Sequence, residues 1–336
     1  MPKAPSYQFR RSAAIAINSG QAKTIVLSGN TRGLFYLPGD GEYVPLVDFL
    51  VTKWNVAGAA IVVVYEPHGQ LRILENPTSG SRPTGNRDKL RDAWLKWKTG
   101  LSGYDLKIKE MLSASRVRMQ AAALGDSFDS TLSKAGREPL VAMEFLRQLC
   151  LCSRTSVDGK PLLDENLIII VEEADMLLPE GELARLSGVD RRMTGLCAEW
   201  FSDPLFMNGR DAVVLLTESR SSINHRITRL PQVMSIDVPS PDEEARSHFI
   251  YWFNQRQPED RKIHLWSSQL NLARLTGGLS IHALRQLLVR SCHLDKKVTP
   301  RDVIDHVQDF IRTQLGEDVV EFKRPEHTLK NVVGFS

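Results

Sequence analysis

The chain has 336 residues, 42% of them hydrophobic and 25% charged, with a formal net charge of +3. That length holds two domains, or one domain with a large insertion, and the composition is that of a folded globular chain. So small a net charge does not imply a polyanion partner for the molecule as a whole.

No apolar run approaches the ~18 residues that a membrane span needs. The four cysteines, Cys150, Cys152, Cys197 and Cys292, form no CxxC pair, and no secretory signal precedes them. They read as reduced thiols of a cytoplasmic protein, not as a disulfide set or a zinc site. The opening MPKAPSYQFRRSA is basic without an apolar h-region, so residues 1–23 are expected to form a flexible arm.

Thr24 to Leu27, TIVL, reads as the first strand and runs into SGNTRGLFYLPGDGEY. Gly29 and Gly33 in that stretch suit either a phosphate-cradling loop or an ordinary strand-to-loop turn. A phosphate loop needs glycines, so that backbone N–H groups can wrap phosphate, and a Lys to reach the terminal phosphates. The Gly-Lys-Ser/Thr ending is absent here. The single Gly-Lys pair, Gly159-Lys160, is followed by Pro161 and precedes a different strand. Val44 to Trp54 has helical spacing, and Ala59 to Tyr65, AAIVVVY, reads as a buried strand. Strand, helix and strand at this spacing make a βαβ unit, hence a parallel sheet.

An insertion at about 75–136 follows, opening with the Pro/Gly/Ser-rich ENPTSGSRPTGN. Residues 82–118 carry ten Lys or Arg against four Asp or Glu, interleaved with Trp94, Trp97 and Tyr104. Basic residues with aromatics can bind single-stranded nucleic acid through phosphate contact and stacking. The other reading, which the pattern favours, is amphipathic helices whose Trp residues pack on the domain while Lys and Arg face water.

Arg137 to Cys152 reads as an amphipathic helix with Pro139 in its first turn. It leads to Asn166 to Glu180, NLIIIVEEADMLLPE, whose β-branched run reads as a strand buried on both faces. Glu172 and Glu173 end it, at the edge where open α/β sheets bind ligands. A helix is expected around Met193–Phe201. Asp211 to Arg220, DAVVLLTESR, is a second buried strand with a polar end, and Val233 to Val238 is a third apolar-rich run. From Pro241 the chain reads as helices, with Asp242 and Glu243 suiting a helix N-terminus. Further helices are expected at Asn271–Leu275, Ser280–Cys292 and Arg301–Leu315.

In their order and spacing, VEEADMLLP, VVLLTESR, HRITRLPQVMSIDVPSPDEEAR and TGGLSIHAL resemble the AAA+ ATPase family over roughly residues 140–310. The resemblance implies a three-layer α/β core with a parallel sheet, like that of P-loop NTPases, over residues 24–240, and a small all-α lid over 241–315. It implies ATP and Mg²⁺ as cofactors, with Glu172 as the metal-side acid and Glu173 as the base that orients water. It places a degenerate phosphate loop at Gly29, Asn30, Thr31, Arg32 and Gly33, where Arg32 would supply the positive charge. Either Glu218 or Ser219 takes the polar position that touches the terminal phosphate. Arg226 and Arg229 are finger arginines by resemblance or ordinary surface arginines, and Arg285 is a nucleotide-sensing arginine or an exposed helix residue.

The family's element after its second strand carries a substrate-gripping pore loop, which puts the insertion on the pore side. HTLKNVVG (His327 to Gly334) is similar to the connector that opens a second AAA module, so residues 316–336 are expected to join such a module. The implied assembly is a ring, taken as a hexamer, acting on a macromolecular substrate. The alternative is a non-catalytic scaffold of AAA shape that binds nucleic acid or protein through residues 82–118.

Overall fold

Six strands form one sheet in the order β10-β1-β9-β8-β4-β5, and all but the edge strand β5 run parallel. The structure is a computed structural model that describes residues 2–54, 60–75, 85–112, 115–157, 159–293 and 298–315. In chain order its elements begin with α1 (Gln8–Ser19), β1 (Thr24–Gly29), the hairpin β2 (Leu34–Leu37) and β3 (Glu42–Pro45), α2 (Leu46–Trp54), β4 (Ala60–Tyr65) and β5 (Leu71–Ile73). The insertion supplies α3 (Asn86–Thr99), α4 (Gly103–Leu112), α5 (Ser115–Gly125) and α6 (Ser127–Ala135). Then come α7 (Pro139–Arg154), the small hairpin β6 (Ser156–Val157) and β7 (Lys160–Pro161), and β8 (Asn166–Val171). After these lie α8 (Ala174–Leu177), α9 (Gly188–Ser202), α10 (Pro204–Met207), β9 (Ala212–Thr217), α11 (His225–Thr228) and β10 (Val233–Val238).

The long apolar runs of the sequence exist because both sheet faces are covered. Side chains alternate across a strand, and the two sets enter different cores. Val26, Ile61, Val63, Leu167, Ile169, Val213 and Leu215 pack in the core that holds residues of α3, α6, α7 and α9. Ile25, Leu27, Val62, Val64, Ile170, Val214 and Leu216 pack in the core with residues of α1 and α2. The result is the expected three-layer α/β arrangement, with β9 between β1 and β8 as the motif order requires.

The N-terminal residues differ from their expectation. Residues 8–19 form α1, with Phe9, Ala13 and Ala16 buried in the second core, where the sequence suggested a flexible arm. Tyr7, Phe9, Phe35 and Phe49 stack in mutual contact, and the Tyr36 amide donates to the Tyr7 hydroxyl at 2.8 Å. The physical reason is that α1 covers a sheet face that would otherwise be wet. Its arginines dominate the local sequence, yet only Arg11 is exposed and Arg10 is half-buried.

The chain divides into two compact units, Tyr7–Pro239 and a second made of Met1–Ser6 with Ser240–Ser336. The second unit is helical: α12 (Glu243–Gln255), α13 (Gln269–Leu275), α14 (Ile281–His293) and α15 (Pro300–Leu315). Asp242 caps α12 by accepting from the Ala245 amide at 2.8 Å. The proposed connector, 316–336, lies outside the described residues, as do residues 76–84 of the insertion. No described helix is long and apolar enough to cross a membrane.

Candidate functional site

Parallel strands bring their C-terminal ends to one edge, and here each of three neighbours is followed by a glutamate. Glu66 follows β4, Glu172 follows β8 and Glu218 follows Thr217, the last residue of β9. The register pairs Tyr65 with Val171 and Val171 with Leu215, so these acids are neighbours across the edge. With Glu173, Asp175, Thr217, Arg32 and Thr31 they line a cavity of about 520 Å³.

Arg32 spans two of the acids. Its Nη2 lies 3.1 Å from Glu173 Oε1, and its Nε lies 2.8 Å from Glu218 Oε1. Arg72, on β5, lies 3.5 Å from Glu172 and 3.8 Å from Glu66. Burial and the neighbouring Glu66 push the Glu172 carboxyl up to about 7, against the opposing pull of Arg72. Glu173 adopts a left-handed backbone (φ 46, ψ 47), the one non-glycine to do so among the described residues. That conformation costs about 1 kcal/mol for an L-residue. It turns the chain directly from β8 into α8. Thr217 is buried, and its hydroxyl donates to Asp175 at 3.1 Å.

The loop after β1 is committed to the protein's own carbonyls. The Gly29 amide donates to Glu218 O at 3.0 Å, Asn30 to Val238 O at 2.8 Å, Thr31 to Gly29 O at 2.7 Å and Gly33 to Asn30 O at 3.2 Å. Gly29 is required by its φ of 104 and by the β10 backbone, since a Cβ there would sit 2.7 Å from Val238 O. A Cβ on Gly33 would meet the Asn30 side chain at 2.5 Å. The loop then enters the β2–β3 hairpin, and the next helix begins only at Leu46. An anion cradle built from free amides at a helix N-terminus is therefore not formed in this conformation.

The residues present do not fit a nucleotide triphosphate with its metal. The amides of Gly29, Asn30, Thr31 and Gly33 are already donating, no lysine lines the cavity, and its single arginine is paired with two acids. Among the described residues, no group of three or more His, Cys, Asp or Glu side chains is placed to hold a metal ion. Mg²⁺ keeps near-ideal octahedral oxygen geometry and usually leans on substrate phosphates. Glu172, the metal-side acid by resemblance, is paired with Arg72 instead.

Residues 5–239 match the family described as "AAA+ chaperone, N-terminal Rossmann-like domain". The chain belongs to this AAA+ chaperone family. The matched region ends at the same residue as the larger compact unit. AAA+ proteins generally bind ATP with Mg²⁺ and typically form rings. No curated protein matches the sequence. Among solved structures, a chain of the E. coli MS115-1 HORMA:CdnC:Trip13 complex is similar, with 14% identity, a TM-score of 0.40, and 88% of this chain and 76% of that chain covered.

The remaining residues singled out from the sequence of this AAA+ domain fall in three places. Glu218, not Ser219, faces the cavity; the Ser219 hydroxyl caps the next turn by accepting from the Ser221 amide. Arg226 and Arg229 are exposed around α11, a segment anchored by buried Asn224, whose side chain donates to Pro179 O at 3.1 Å and Gly181 O at 3.0 Å. Arg285 is exposed on α14 of the helical unit.

Within the insertion, Trp94 is fully buried, and its indole donates to Gln148 at 3.0 Å. Trp97 is half-buried against the same core. These two rings serve packing, as the amphipathic-helix reading expects. Sequence reasoning missed Glu66, Arg72 and Thr217. The signal for Glu66 was present: a buried strand ending in glutamate, as in the two strands beside it.

Proposed function

We propose that this chain is an AAA+ module whose own cleft does not run a nucleotide cycle, and that it supports or regulates a catalytic AAA module within a ring. The Arg32 bridge to Glu173 and Glu218 carries the reading. It crosses the loop that the resemblance gives to phosphate and pairs with the acid that the resemblance makes the water-orienting base. Triphosphate entering the cleft would face the carboxylates of Glu66, Glu173, Asp175 and Glu218, beside a Glu172 that is partly protonated near neutral pH. Each like-charge pair at 4 Å costs about 4 kcal/mol at the effective dielectric near a protein surface. A paired arginine cannot offset that.

Exposure of Arg226 and Arg229 leaves them able to act on a neighbouring module's nucleotide even where their own cleft is idle. A second AAA module in the same protein and a ring, with a hexamer as its proposed size, belong to the same proposal.

A titration with a labelled ATP analogue, with and without Mg²⁺, tests this. The expected result is no saturable binding that Mg²⁺ strengthens, and turnover far below the enzyme median of ~10 s⁻¹. Mg²⁺-dependent binding together with turnover near that value, abolished by Glu173→Gln, would overturn the proposal.

A further inference from the structure

The loop after β1 ties together the ends of three other strands. It grips β10 most closely. The Asn30 amide donates to Val238 O at 2.8 Å, and a Cβ on Gly29 would sit 2.8 Å from the Asp237 carboxylate as well as against Val238 O. The Asn30 side chain reaches Pro239 O at 3.5 Å. The same loop holds the end of β9, since the Gly29 amide donates to Glu218 O and the Thr31 hydroxyl to Thr217 O at 3.3 Å. Arg32 completes the set. Its guanidinium pairs with Glu218 through Nε and with Glu173, after β8, through Nη2. A stretch with glycines at both ends has much conformational freedom to lose. Two charged anchors on one side chain restrict that freedom.

The grip on β10 falls at a boundary of the chain. Pro239 is the last residue of the larger unit, and Ser240 belongs to the helical one. On the helical side, buried Arg246 donates to Pro241 O and, at 3.0 Å, to Ala273 O. Ser240 itself is exposed and makes no hydrogen bond among the described residues. The backbone just before it is therefore held by the loop that Arg32 anchors.

We propose that Arg32 is a latch, a positioning residue whose pairs with Glu173 and Glu218 hold the loop in the conformation that fixes the exit of β10. Drawing Arg32 off these acids loosens that exit, so the ionic state of the cleft regulates the segment leading into the helical unit. The inference rests on the reading above that no nucleotide displaces Arg32.

Hydrogen exchange of the full chain, followed by mass spectrometry, reads the loop amides. A nitroxide on Ser240→Cys, in a Cys292→Ser background, reads the strand exit by electron paramagnetic resonance; the other three cysteines are buried. Arg32→Gln should speed exchange of the loop about two- to fivefold, the factor that exposed ion pairs supply, and should make the nitroxide more mobile. Glu218→Gln keeps the carbonyl that the Gly29 amide uses and should act in the same direction by less. Arg32→Lys, with a point charge in place of a fork, should restore part of the protection. Arg72→Gln is the control, because Arg72 pairs with Glu66 and Glu172 in the same cleft but makes no hydrogen bond to the loop among the described residues. It should change neither readout.

In the wild type, about 1 M NaCl, where the screening length falls to about 3 Å, should speed loop exchange relative to that of α7. The same salt should add nothing in Arg32→Gln. The proposal fails if Arg32→Gln leaves either readout unchanged, if Arg72→Gln has the same effect, or if salt acts equally on wild type and Arg32→Gln. No nucleotide enters this test. Mg²⁺-dependent ATP binding in the titration above would overturn the nucleotide reading and leave these readouts to judge the latch.

Discussion

Asp211 and Glu172 are both acids at the ends of neighbouring parallel strands, one just before β9 and the other just after β8. Asp211 is almost wholly buried and fully used: its carboxylate accepts from the Ser153 hydroxyl and, at 2.9 Å, from the Leu167 amide. It ties α7 and the start of β8 to β9 at the edge away from the cleft. Glu172 is half-buried among other acids, and its carboxyl is pushed up to about 7. Burial raises both carboxyls, but hydrogen bonds and Arg154 and Arg210 oppose the rise at Asp211, while Glu66 adds to it at Glu172. Burial alone therefore does not separate a structural acid from a cleft acid. The separation lies in whether donors or other acids surround it.

The largest effect should come from breaking the satisfied end. Asp211→Ala leaves a buried hydroxyl and a buried amide without an acceptor and should cost about 2–4 kcal/mol of stability in urea denaturation. Asp211→Asn keeps an acceptor and should cost less than half as much. Equal losses in the two variants would show that the hydrogen bonds are not what matters there.

At the cleft end the sign should reverse. The folded carboxyl of Glu172 lies above its ordinary value of 4.5. Folding therefore favours the protonated form, and the advantage, complete below about pH 4.5, is lost as pH rises through about 7. Glu172→Gln, which stays neutral, should stabilise the chain at pH 8 by about 1–2 kcal/mol. The gain should shrink towards pH 5. A thermal melting series across that range, with no pH dependence in the difference between variant and wild type, would contradict the assigned environment.

The smallest effect belongs to Arg32. Its pairs with Glu173 and Glu218 are exposed, so Arg32→Gln should change stability by less than about 1 kcal/mol. A measurably larger loss would make the bridge a structural strut and not an occupant of the cleft.

The order of strands, the helices at 139–154 and 188–202, and the clustering of Glu172 and Glu173 at a sheet edge were legible because they rest on local signals. These are β-branched runs, helical spacing, a proline in a first turn and acids at strand ends. The same local signals misread α1, whose arginines outweigh the small alanines that bury its other face. They also left the Trp residues of the insertion open, since a basic sequence with aromatics looks alike whether the rings are stacked outward or packed inward.

By itself, then, the sequence determined the fold class, the family resemblance and the position of the cleft. The missing lysine of the phosphate loop could also be read directly, because an absent residue is visible in one dimension. Only the tertiary structure decided what the cleft contains. The amides of Gly29, Asn30 and Thr31 are spent on carbonyls of strands and loops up to about 210 residues away. Glu66 and Glu218 reach Glu172 and Arg32 only when parallel strands bring their ends together. Hydrogen-bond partners and neighbouring charges are set by distance in space, and no spacing along the chain encodes them.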